Sequence, residues 1–334
     1  MNDASSSPSR DVLVSLKRDQ NANLFYKADV PIHEYEITVF GYGATRRAAR
    51  GGQDLDEDDP AQSLFDTDSR LRDAGEWLLQ LDHAANRPSP LMRKTRDRRD
   101  RVIKVLTDVL PDVDDIRFTD PTADKPTVGV EFKTPFGWVP VDALGHGYQA
   151  TIAWIVDLVS RLFDLQPDSK DPLSAPCVVL IDEIDLHMHP TWQRQIMRHL
   201  SEHFPNAQFI ATAHSPLIVQ AADEHTNIIL LKRQGDHVVV ENAPEIVRNL
   251  RVDQILTSDL FGLETARPPQ VEQLLAEREK LLSKRRLSPR DKATVEQLEA
   301  EIGFLPGDES PQDREAWDIV HRAAARIGEQ SSKA

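Results

Sequence analysis

Short apolar runs, separated by charged and turn-forming residues, divide this chain into candidate strands and helices. Apolar and polar residues alternate in parts of 11–40, and that period of two predicts strands. Apolar residues recur every three or four positions in 71–81, 92–110 and 151–163, and this spacing predicts helices. The mixture of strands and helices predicts an α/β fold.

Two further apolar runs predict strands that are buried on both faces, as in a parallel sheet. The first run, 177–181, is short, rich in β-branched residues and preceded by Pro176. The second run, 208–212, follows a segment in which Pro190 is placed to begin a helix. Together they predict a mainly parallel sheet flanked by helices.

The rest of the chain predicts simpler local units. A strand pair with turns is expected within 116–141, and a hairpin is expected across 227–241. From Pro269 onwards the sequence becomes helical and charged, and Pro289 is placed to begin a second helix, which predicts a helical hairpin. Residues 1–20 begin with a polar, serine-rich stretch that predicts a disordered leader.

Composition narrows the class of protein. The chain has 334 residues, 40% hydrophobic and 28% charged, which is typical of a soluble globular protein. Its net charge of −15 argues against a generally basic nucleic-acid coat. No apolar run approaches the roughly 20 residues that cross a bilayer, and the N-terminus lacks the pattern of a signal peptide. The single cysteine, Cys177, cannot form an internal disulfide, so we expect a cytoplasmic protein without membrane contact.

Two adjacent acids follow the first buried run directly, and they are Asp182 and Glu183. The carboxyl ends of parallel strands are where α/β proteins place ligands. A buried charge costs several kcal/mol unless it is paired or bound to a metal. In nucleotide hydrolases the first such acid supports Mg²⁺ and the second polarises the attacking water. The pair therefore fits a Walker B pattern, although a strand end that caps the next helix is the alternative.

Three segments then occur in a meaningful order along the chain, and they are 144–149, 182–190 and 212–216. In this order they resemble the ABC-type ATPases of the SMC, RecF and OLD kind. The greatest resemblance is to prokaryotic, AAA_21-like AAA family ATPases, which carry an LSxGxQ-like signature, an IDExDLHLHP segment and a T-HSP switch histidine. It is strong over about 140–265. In the looser part before it, 42–46 is similar to a Tyr-Gly-x-x-Arg element of the same proteins.

The resemblance implies a role for each matching acid and for the histidine. Asp182 would support Mg²⁺, and Glu183 would act as the general base. Asp185 would be the D-loop acid that crosses a dimer interface. His214 would sense the γ-phosphate of ATP.

The resemblance also implies an ATP-binding role for the signature segment, in which Gly145, His146, Gly147 and Gln149 are the matching residues. A glycine-rich helix start offers backbone N–H groups to the γ-phosphate of ATP held by the opposite subunit. The family's usual serine is replaced by Gly145, and His146 is the candidate to replace the lost donor.

The phosphate-binding loop Gly-x-x-x-x-Gly-Lys-[Ser/Thr] does not occur in these residues, because no glycine is followed by lysine. In the families resembled, that loop precedes every segment recognised above. We therefore expect the C-terminal portion of a longer ATPase, produced by truncation or by a split subunit. A pseudo-ATPase that kept its acids is the alternative.

The resemblance implies the following organisation. The fold class is the C-terminal lobe of an ABC-type P-loop ATPase, with a helical insertion and a C-terminal helical hairpin. The regions expected after the leader are a partial ATPase lobe with the insertion, an ATPase lobe with the signature, Walker B, D-loop and switch histidine, and a helical region, at 21–140, 141–250 and 251–334.

Function and partners follow from the same resemblance. ATP and Mg²⁺ are the expected cofactors, and a head-to-tail homodimer or a higher oligomer is the expected assembly. The tail is similar to ATPases of Septu-type and retron-linked antiviral systems, which work beside a separate HNH nuclease. The expected output is a conformational switch in antiviral defence or in a DNA transaction. The alternatives are a non-catalytic interaction subunit and a RecF-like DNA-repair ATPase.

Two other patterns suggest a zinc site and a nucleic-acid contact, but an ordinary helix surface explains each of them more simply. His199, Glu202 and His203 match the His-x-x-Glu-His spacing of one zinc peptidase class, but an exposed polar helix face is favoured. The segment 93–101 holds six basic and two acidic residues. A solvated helix face is the first interpretation of that segment, and a nucleic-acid contact is the second.

Overall fold

The computed structural model describes most of the chain, and the described residues are 14–18, 24–28, 38–48, 59–121, 128–242, 247, 250–284 and 286–302. The strands are β1 Val14–Arg18, β2 Leu24–Ala28, β3 Thr38–Tyr42, β4 Asp115–Thr119, β5 Gly129–Thr134, β6 Gly137–Pro140, β7 Cys177–Ile181, β8 Ala207–Ala211, β9 Ile229–Gln234 and β10 His237–Asn242. The helices are α1 Ala74–Asn86, α2 Met92–Val109, α3 His146–Leu165, α4 Pro190–Gln193, α5 Ile196–His203, α6 Pro216–Gln220, α7 Val252–Leu256, α8 Pro269–Leu282 and α9 Pro289–Ile302.

A three-stranded parallel sheet positions the candidate site. Its strand order is β3-β7-β8, and the three strands are in register, so that Tyr42, Ile181 and Ala211 lie side by side at their carboxyl ends. The residues that follow β7 and β8 therefore emerge at one edge of the sheet. This confirms the predicted α/β fold with a parallel sheet flanked by helices.

The two faces of this sheet differ in burial. One face packs towards α3, and its Phe40, Tyr42 and Val179 side chains are fully buried. On the other face, Val39 is 38% exposed and Ile210 is 51% exposed. The prediction of burial on both faces is therefore wrong for 208–212, where Gln208 and Ile210 are exposed, whereas Val178 and Leu180 of the first run are half-buried. Burial on two faces needs two covering layers, and in the described part of the chain the second face is covered only in part.

Helix α3 is the central helix of the core. Twelve of its residues are buried, and its Trp154 ring lies 5.7 Å from the ring of Tyr42. It begins at His146, five residues before the predicted start at 151. The first turn has little apolar periodicity, so the sequence pattern located only the packed part of the helix.

Helices α1 and α2 pack on one another and on α3. Their assignment as a helical insertion stays a prediction. Asp73 caps α1 by accepting a hydrogen bond from the amide of Glu76 at 3.0 Å, which moves its start later than the predicted 71. Strands β4, β5 and β6 form an antiparallel sheet in that order. The expected strand pair is thus a three-stranded meander, because Gly137, at φ 107°, turns the chain into one more strand.

One predicted helix and the predicted leader need correction. The helix expected from Pro190 is two helices, α4 and α5, because the chain departs from the helix at Arg194 and Gln195. Strand β1 pairs with β2 and lies inside the predicted leader, so disorder is the wrong description of 14–18. The other residues of that leader lie outside the described part.

The chain divides into two compact units, Met1–Ile255 and Leu256–Ala334. In the second unit, α8 and α9 form the predicted helical hairpin, in which Val295 and Leu298 are buried and Arg278 pairs with Glu299 at 2.7 Å. Among the described helices, none combines the length and the apolar character that crossing a membrane requires.

Candidate functional site

Thr212 joins the ends of two neighbouring strands at the candidate site. It follows β8, and its hydroxyl donates to Oδ1 of Asp182 at 2.6 Å. The same hydroxyl oxygen accepts the backbone N–H of Glu183 at 2.7 Å. One side chain therefore holds both members of the acidic pair that follows β7.

The turn after β7 is tied to the end of β8 by further hydrogen bonds. The amide of Ile184 donates to the Thr212 carbonyl at 2.9 Å, and the amide of His214 donates to Oδ2 of Asp185 at 3.1 Å. Glu183 lies at φ 49° within this turn, in left-handed backbone that favours glycine. The structure thus brings all four predicted catalytic and metal residues to one edge of the sheet.

The exposure of these side chains differs. Asp182, Glu183 and Asp185 are half-buried, whereas His214 is exposed. Asp185 already has a partner inside its own chain, through the amide of His214. The intersubunit role that the resemblance implies for Asp185 stays a prediction.

The start of α3 lies directly against the turn that follows the acids. A Cβ added to Gly147 would lie 2.4 Å from the carbonyl oxygen of His187, so any side chain at this position would require a backbone shift. Gly145 is the N-cap of α3 and makes no side-chain capping bond. Gly145 and the following His146 are exposed. The predicted signature segment and the acid-bearing turn are therefore in contact within one chain.

Gln149 is held by the loop before α3. Its side-chain amide donates to the carbonyl oxygens of Asp142, at 2.9 Å, and Leu144, at 2.7 Å. The geometry gives Gln149 a structural partner in this chain. Its predicted contact with nucleotide stays a prediction.

Arg46 is a site residue that the sequence analysis did not single out. It is 3% exposed, and its Nη2 donates to the carbonyl oxygens of Asp182 and of Glu183, the latter at 2.7 Å. Burial lowers the pKa of the guanidinium to about 10, although the nearby Asp182, Asp185 and Glu183 act to raise that pKa. The Tyr-Gly-x-x-Arg spacing was the signal that could have identified it.

The glycines just before Arg46 allow the backbone to pack closely against the segment that contains Ser63. A Cβ on Gly43 would lie 2.2 Å from the carbonyl oxygen of Ser63, and the Ser63 hydroxyl donates to the Gly41 carbonyl at 2.8 Å. The glycine-rich turn after β3 is therefore explained by the segment that crosses it.

A buried network supports the acids from the α3 side of the sheet. The amide of Asp182 donates to the Tyr42 carbonyl at 2.8 Å, and the Tyr42 hydroxyl donates to Asp157 at 3.1 Å. Arg161 donates to the same Asp157 oxygen at 2.8 Å. Burial raises the pKa of Tyr42 well above its usual value, and Asp157 raises it further. The phenol is therefore a neutral hydrogen-bond donor at physiological pH.

The basic segment on α2 is largely committed to contacts within the chain. Arg98 donates to the Pro167 carbonyl at 2.9 Å, Arg99 pairs with Asp82 at 2.9 Å, and Arg101 pairs with Asp171. Lys94 lies 3.7 Å from Asp168. These contacts favour a structural role for the segment over a nucleic-acid interface.

The histidines with zinc-peptidase spacing have carboxylate neighbours of their own. His203 lies 2.9 Å from Asp108, and His199 lies 3.6 Å from Glu202. Burial lowers the pKa of His203, although the carboxylate of Asp108 acts to raise it. Within the described ranges, the structure brings together no group of three or more His, Cys, Asp or Glu side chains that could hold a metal ion by itself.

The donor set at the strand ends fits Mg²⁺ held jointly with phosphate. Mg²⁺ prefers oxygen ligands and is commonly bound through one or two carboxylates together with substrate phosphates. Asp182 offers its carboxylate at this edge, and Thr212 fixes one of the two carboxylate oxygens. These residues are compatible with a metal that arrives with its nucleotide.

Comparisons with known proteins identify the same segment. Residues 96–220 match the AAA_21 family model, described as "AAA domain, putative AbiEii toxin, Type IV TA system". This range contains the start of α3, the acids after β7 and His214. The match confirms the predicted resemblance to AAA/ABC-type ATPases.

Two curated relatives belong to defence systems. The "Retron Ec83 probable ATPase" of Escherichia coli is 41% identical over 127 residues, which cover 38% of this chain and 22% of that protein. The "Septu protein PtuA" of Bacillus thuringiensis is 31% identical over 185 residues, which cover 54% of this chain and 46% of that protein. The chain thus spans less than half the length of these two relatives.

A solved SMC ATPase structure, from work on ATP-driven dimerization and DNA-stimulated activation, aligns with a TM-score of 0.34 and 18% identity. The alignment covers 46% of this chain and 87% of that one. A TM-score of this size does not by itself identify a fold.

Proposed function

We propose that this chain forms part of an ATP-hydrolysing AAA/ABC-type engine and contributes the acids that act on the γ-phosphate. The observation that carries this proposal is the hydrogen-bonded frame at the strand ends, in which Thr212 holds Asp182 and Glu183 while Asp185 holds the amide of His214. Supporting it, the matched family range contains all five residues.

In this proposal each residue has a distinct task. Glu183 accepts a proton from the attacking water, because its carboxylate lies at the strand end and its backbone is fixed on two sides. Asp182 holds Mg²⁺, which when bound would neutralise the developing charge on the phosphates. His214 has a fixed backbone and an exposed ring, so the ring is available to donate to a phosphate oxygen.

The signature segment has a task in assembly. The exposed start of α3, at Gly145 and His146, presents backbone N–H groups outward, and a helix N-terminus favours an anion there. Gly147 of this segment packs on the turn that carries the acids. Nucleotide bound at the start of α3 would therefore be mechanically linked to that turn. A head-to-tail dimer that buries ATP between two such surfaces is the assembly we propose.

The biological role proposed is antiviral defence, in which closure on ATP gates a partner protein such as an HNH nuclease. The similarity to a retron protein and to a Septu protein supports this setting. Affinity purification with the neighbouring gene products, with and without ATP, tests it. Association that does not change with nucleotide would contradict the gating role.

Glu183→Gln tests the catalytic assignment, because it removes the base and keeps the shape. The assay measures ATP turnover by the full chain, alone and combined with a protein segment that carries a phosphate-binding loop. We expect turnover to fall by about 10²–10⁴-fold with little change in KM. The matched control is Glu202→Gln on α5, a carboxylate that is 58% exposed, which should leave turnover unchanged. Undiminished turnover in Glu183→Gln would contradict the assignment.

A non-catalytic interaction subunit is the second candidate, because these 334 residues contain no phosphate-binding loop. It predicts that the chain binds no ATP alone and raises the ATPase activity of a partner that has the loop. Measuring the affinity of the isolated chain for a fluorescent ATP analogue separates the two candidates. If the partner's activity is raised equally by wild type and Glu183→Gln, the non-catalytic candidate is favoured.

A further inference from the structure

Arg46 is bound to the backbone of both acids at once. One terminal nitrogen of its guanidinium donates to the carbonyl oxygens of Asp182 and Glu183, at the point where β7 ends. The side chain is 3% exposed, which is rare for arginine, because burying its charge without a partner is costly. The burial of this arginine is therefore best explained by the two carbonyl groups to which it is bonded.

The backbone on both sides of this contact is strained. Arg46 has φ 37° and Glu183 has φ 49°, and neither residue is glycine. Left-handed backbone of this kind is unfavourable for residues other than glycine and persists only where surrounding contacts over-determine it. The bond from Arg46 to the Glu183 carbonyl is one such contact.

The charged groups around Arg46 are carboxylates, whose negative charge is opposite to that of the guanidinium. Burial lowers the pKa of the Arg46 guanidinium, and the carboxylates of Asp182, Asp185 and Glu183 all act to raise that pKa. Like charges repel when they are brought together, so the positive charge of the buried guanidinium offsets part of the repulsion among these carboxylates.

The frame is not optimised for stability. Nε of Arg46 and Oδ1 of Asp185 are both buried, and in the described part of the chain neither has a hydrogen-bond partner. A buried polar atom without a partner destabilises the folded state. Departures of this kind are expected at functional sites.

We propose that Arg46 is a positioning residue, which fixes the backbone of Asp182 and Glu183 and thereby aims the Glu183 carboxylate at the reacting phosphate. The proposal deepens the function proposed above and rests on it. The competing role is a direct phosphate ligand. The two carbonyl bonds and the 3% exposure argue against that role, because they leave Nη2 committed to the protein.

The first test measures the backbone and does not depend on activity. Hydrogen–deuterium exchange is followed in the peptide that covers 182–188, in wild type and in Arg46→Met. We expect exchange there to become at least about tenfold faster, because the amides of Glu183 and Ile184 lose their fixed geometry towards Thr212. Adding guanidinium chloride to Arg46→Met at tens of millimolar should slow exchange in this peptide again. Sodium chloride at equal concentration should not slow it.

The matched control is Arg99→Met, which removes a paired arginine on α2 whose side chain is 18% exposed. It should leave exchange at 182–188 unchanged. If Arg46→Met fails to fold by circular dichroism, Arg46→Lys is measured in its place, because it keeps a charge and lacks the planar fork. Unchanged exchange at 182–188 in a folded Arg46 variant would overturn the proposal.

The second test separates positioning from phosphate binding. In the assembly that hydrolyses ATP, a positioning role predicts a fall in kcat of at least about tenfold with KM for ATP nearly unchanged. A rise in KM at constant kcat would overturn it in favour of a phosphate ligand. If no assembly of the wild type hydrolyses ATP, the proposed function fails, and the exchange result alone decides the role of Arg46.

Discussion

The two faces of the parallel sheet carry similar apolar residues and have different surroundings. Phe40 and Val179 point into the layer formed with α3 and are fully buried, whereas Val39 and Ile210 on the opposite face are 38% and 51% exposed. The amide of Asp182 donates to the Tyr42 carbonyl, and the Tyr42 side chain joins the buried network on the α3 side. The comparison teaches that the sheet which carries the site is closely packed on one face only. We call the buried face, with Phe40 and Val179, the closed face, and the opposite face, with Val39 and Ile210, the open face.

The largest expected difference between the faces comes from Phe40→Ala and Val39→Ala, adjacent positions on opposite sides. Phe40→Ala should lower the free energy of unfolding by about 3–5 kcal/mol, because it leaves a cavity in a close-packed layer. Val39→Ala should cost less than about 1 kcal/mol, because part of its surface already contacts water. Urea unfolding followed by circular dichroism measures both. Equal losses would show that the open face is covered in solution.

A chemical probe sharpens the same comparison. Cys177 lies on the closed face, and burial raises the pKa of its thiol to about 11. At pH 8 its thiolate fraction is therefore about 100-fold lower than that of an ordinary thiol, and the thiolate is the reactive form. A cysteine placed on the open face, Ile210→Cys in a Cys177→Ala background, should react with a disulfide reagent at least about 100-fold faster. Rates within a few-fold of each other would contradict the contrast.

The smallest expected effect is at the exposed position itself. Ile210→Thr keeps a β-branched side chain in β8 and should change the free energy of unfolding by no more than about 0.5 kcal/mol. The matched change on the closed face, Val179→Thr, buries a hydroxyl and should cost about 1–3 kcal/mol. Thermal unfolding of the two variants side by side measures the difference. A large loss in Ile210→Thr would mean that this residue packs against something in solution.

Much of the fold could be predicted from the sequence because strands and helices leave local patterns. Helix α2 was predicted as 92–110 and ends at Val109, since its apolar face repeats without interruption. The break between α4 and α5 could not be predicted in this way, because the apolar spacing continues through Arg194 and Gln195. Burial of β8 was overestimated for a related reason. A run of apolar residues specifies a strand but not how many layers cover it.

In the candidate site, too, the sequence predicted the residues that belong to local patterns and missed those defined by contacts between distant segments. Asp182, Glu183 and His214 were predicted because they follow apolar runs directly, and the structure places them together. Arg46 was missed as a site residue, because its partners are backbone carbonyls far along the chain, and the Tyr-Gly-x-x-Arg spacing marked the element without reporting that contact. Thr212 was missed for the same reason. Its hydroxyl reaches across two strands.

The backbone at Glu183 has a consequence for how this protein can change over evolutionary time. At φ 49°, glycine or asparagine would fit the turn with less strain than glutamate. Drift towards better folding alone would therefore remove the carboxylate from this position. The general-base role proposed for Glu183 predicts that relatives which hydrolyse ATP keep glutamate there in spite of this strain. Under the general-base role proposed for Glu183, the residue found at position 183 would distinguish relatives that keep this base from relatives that have lost it.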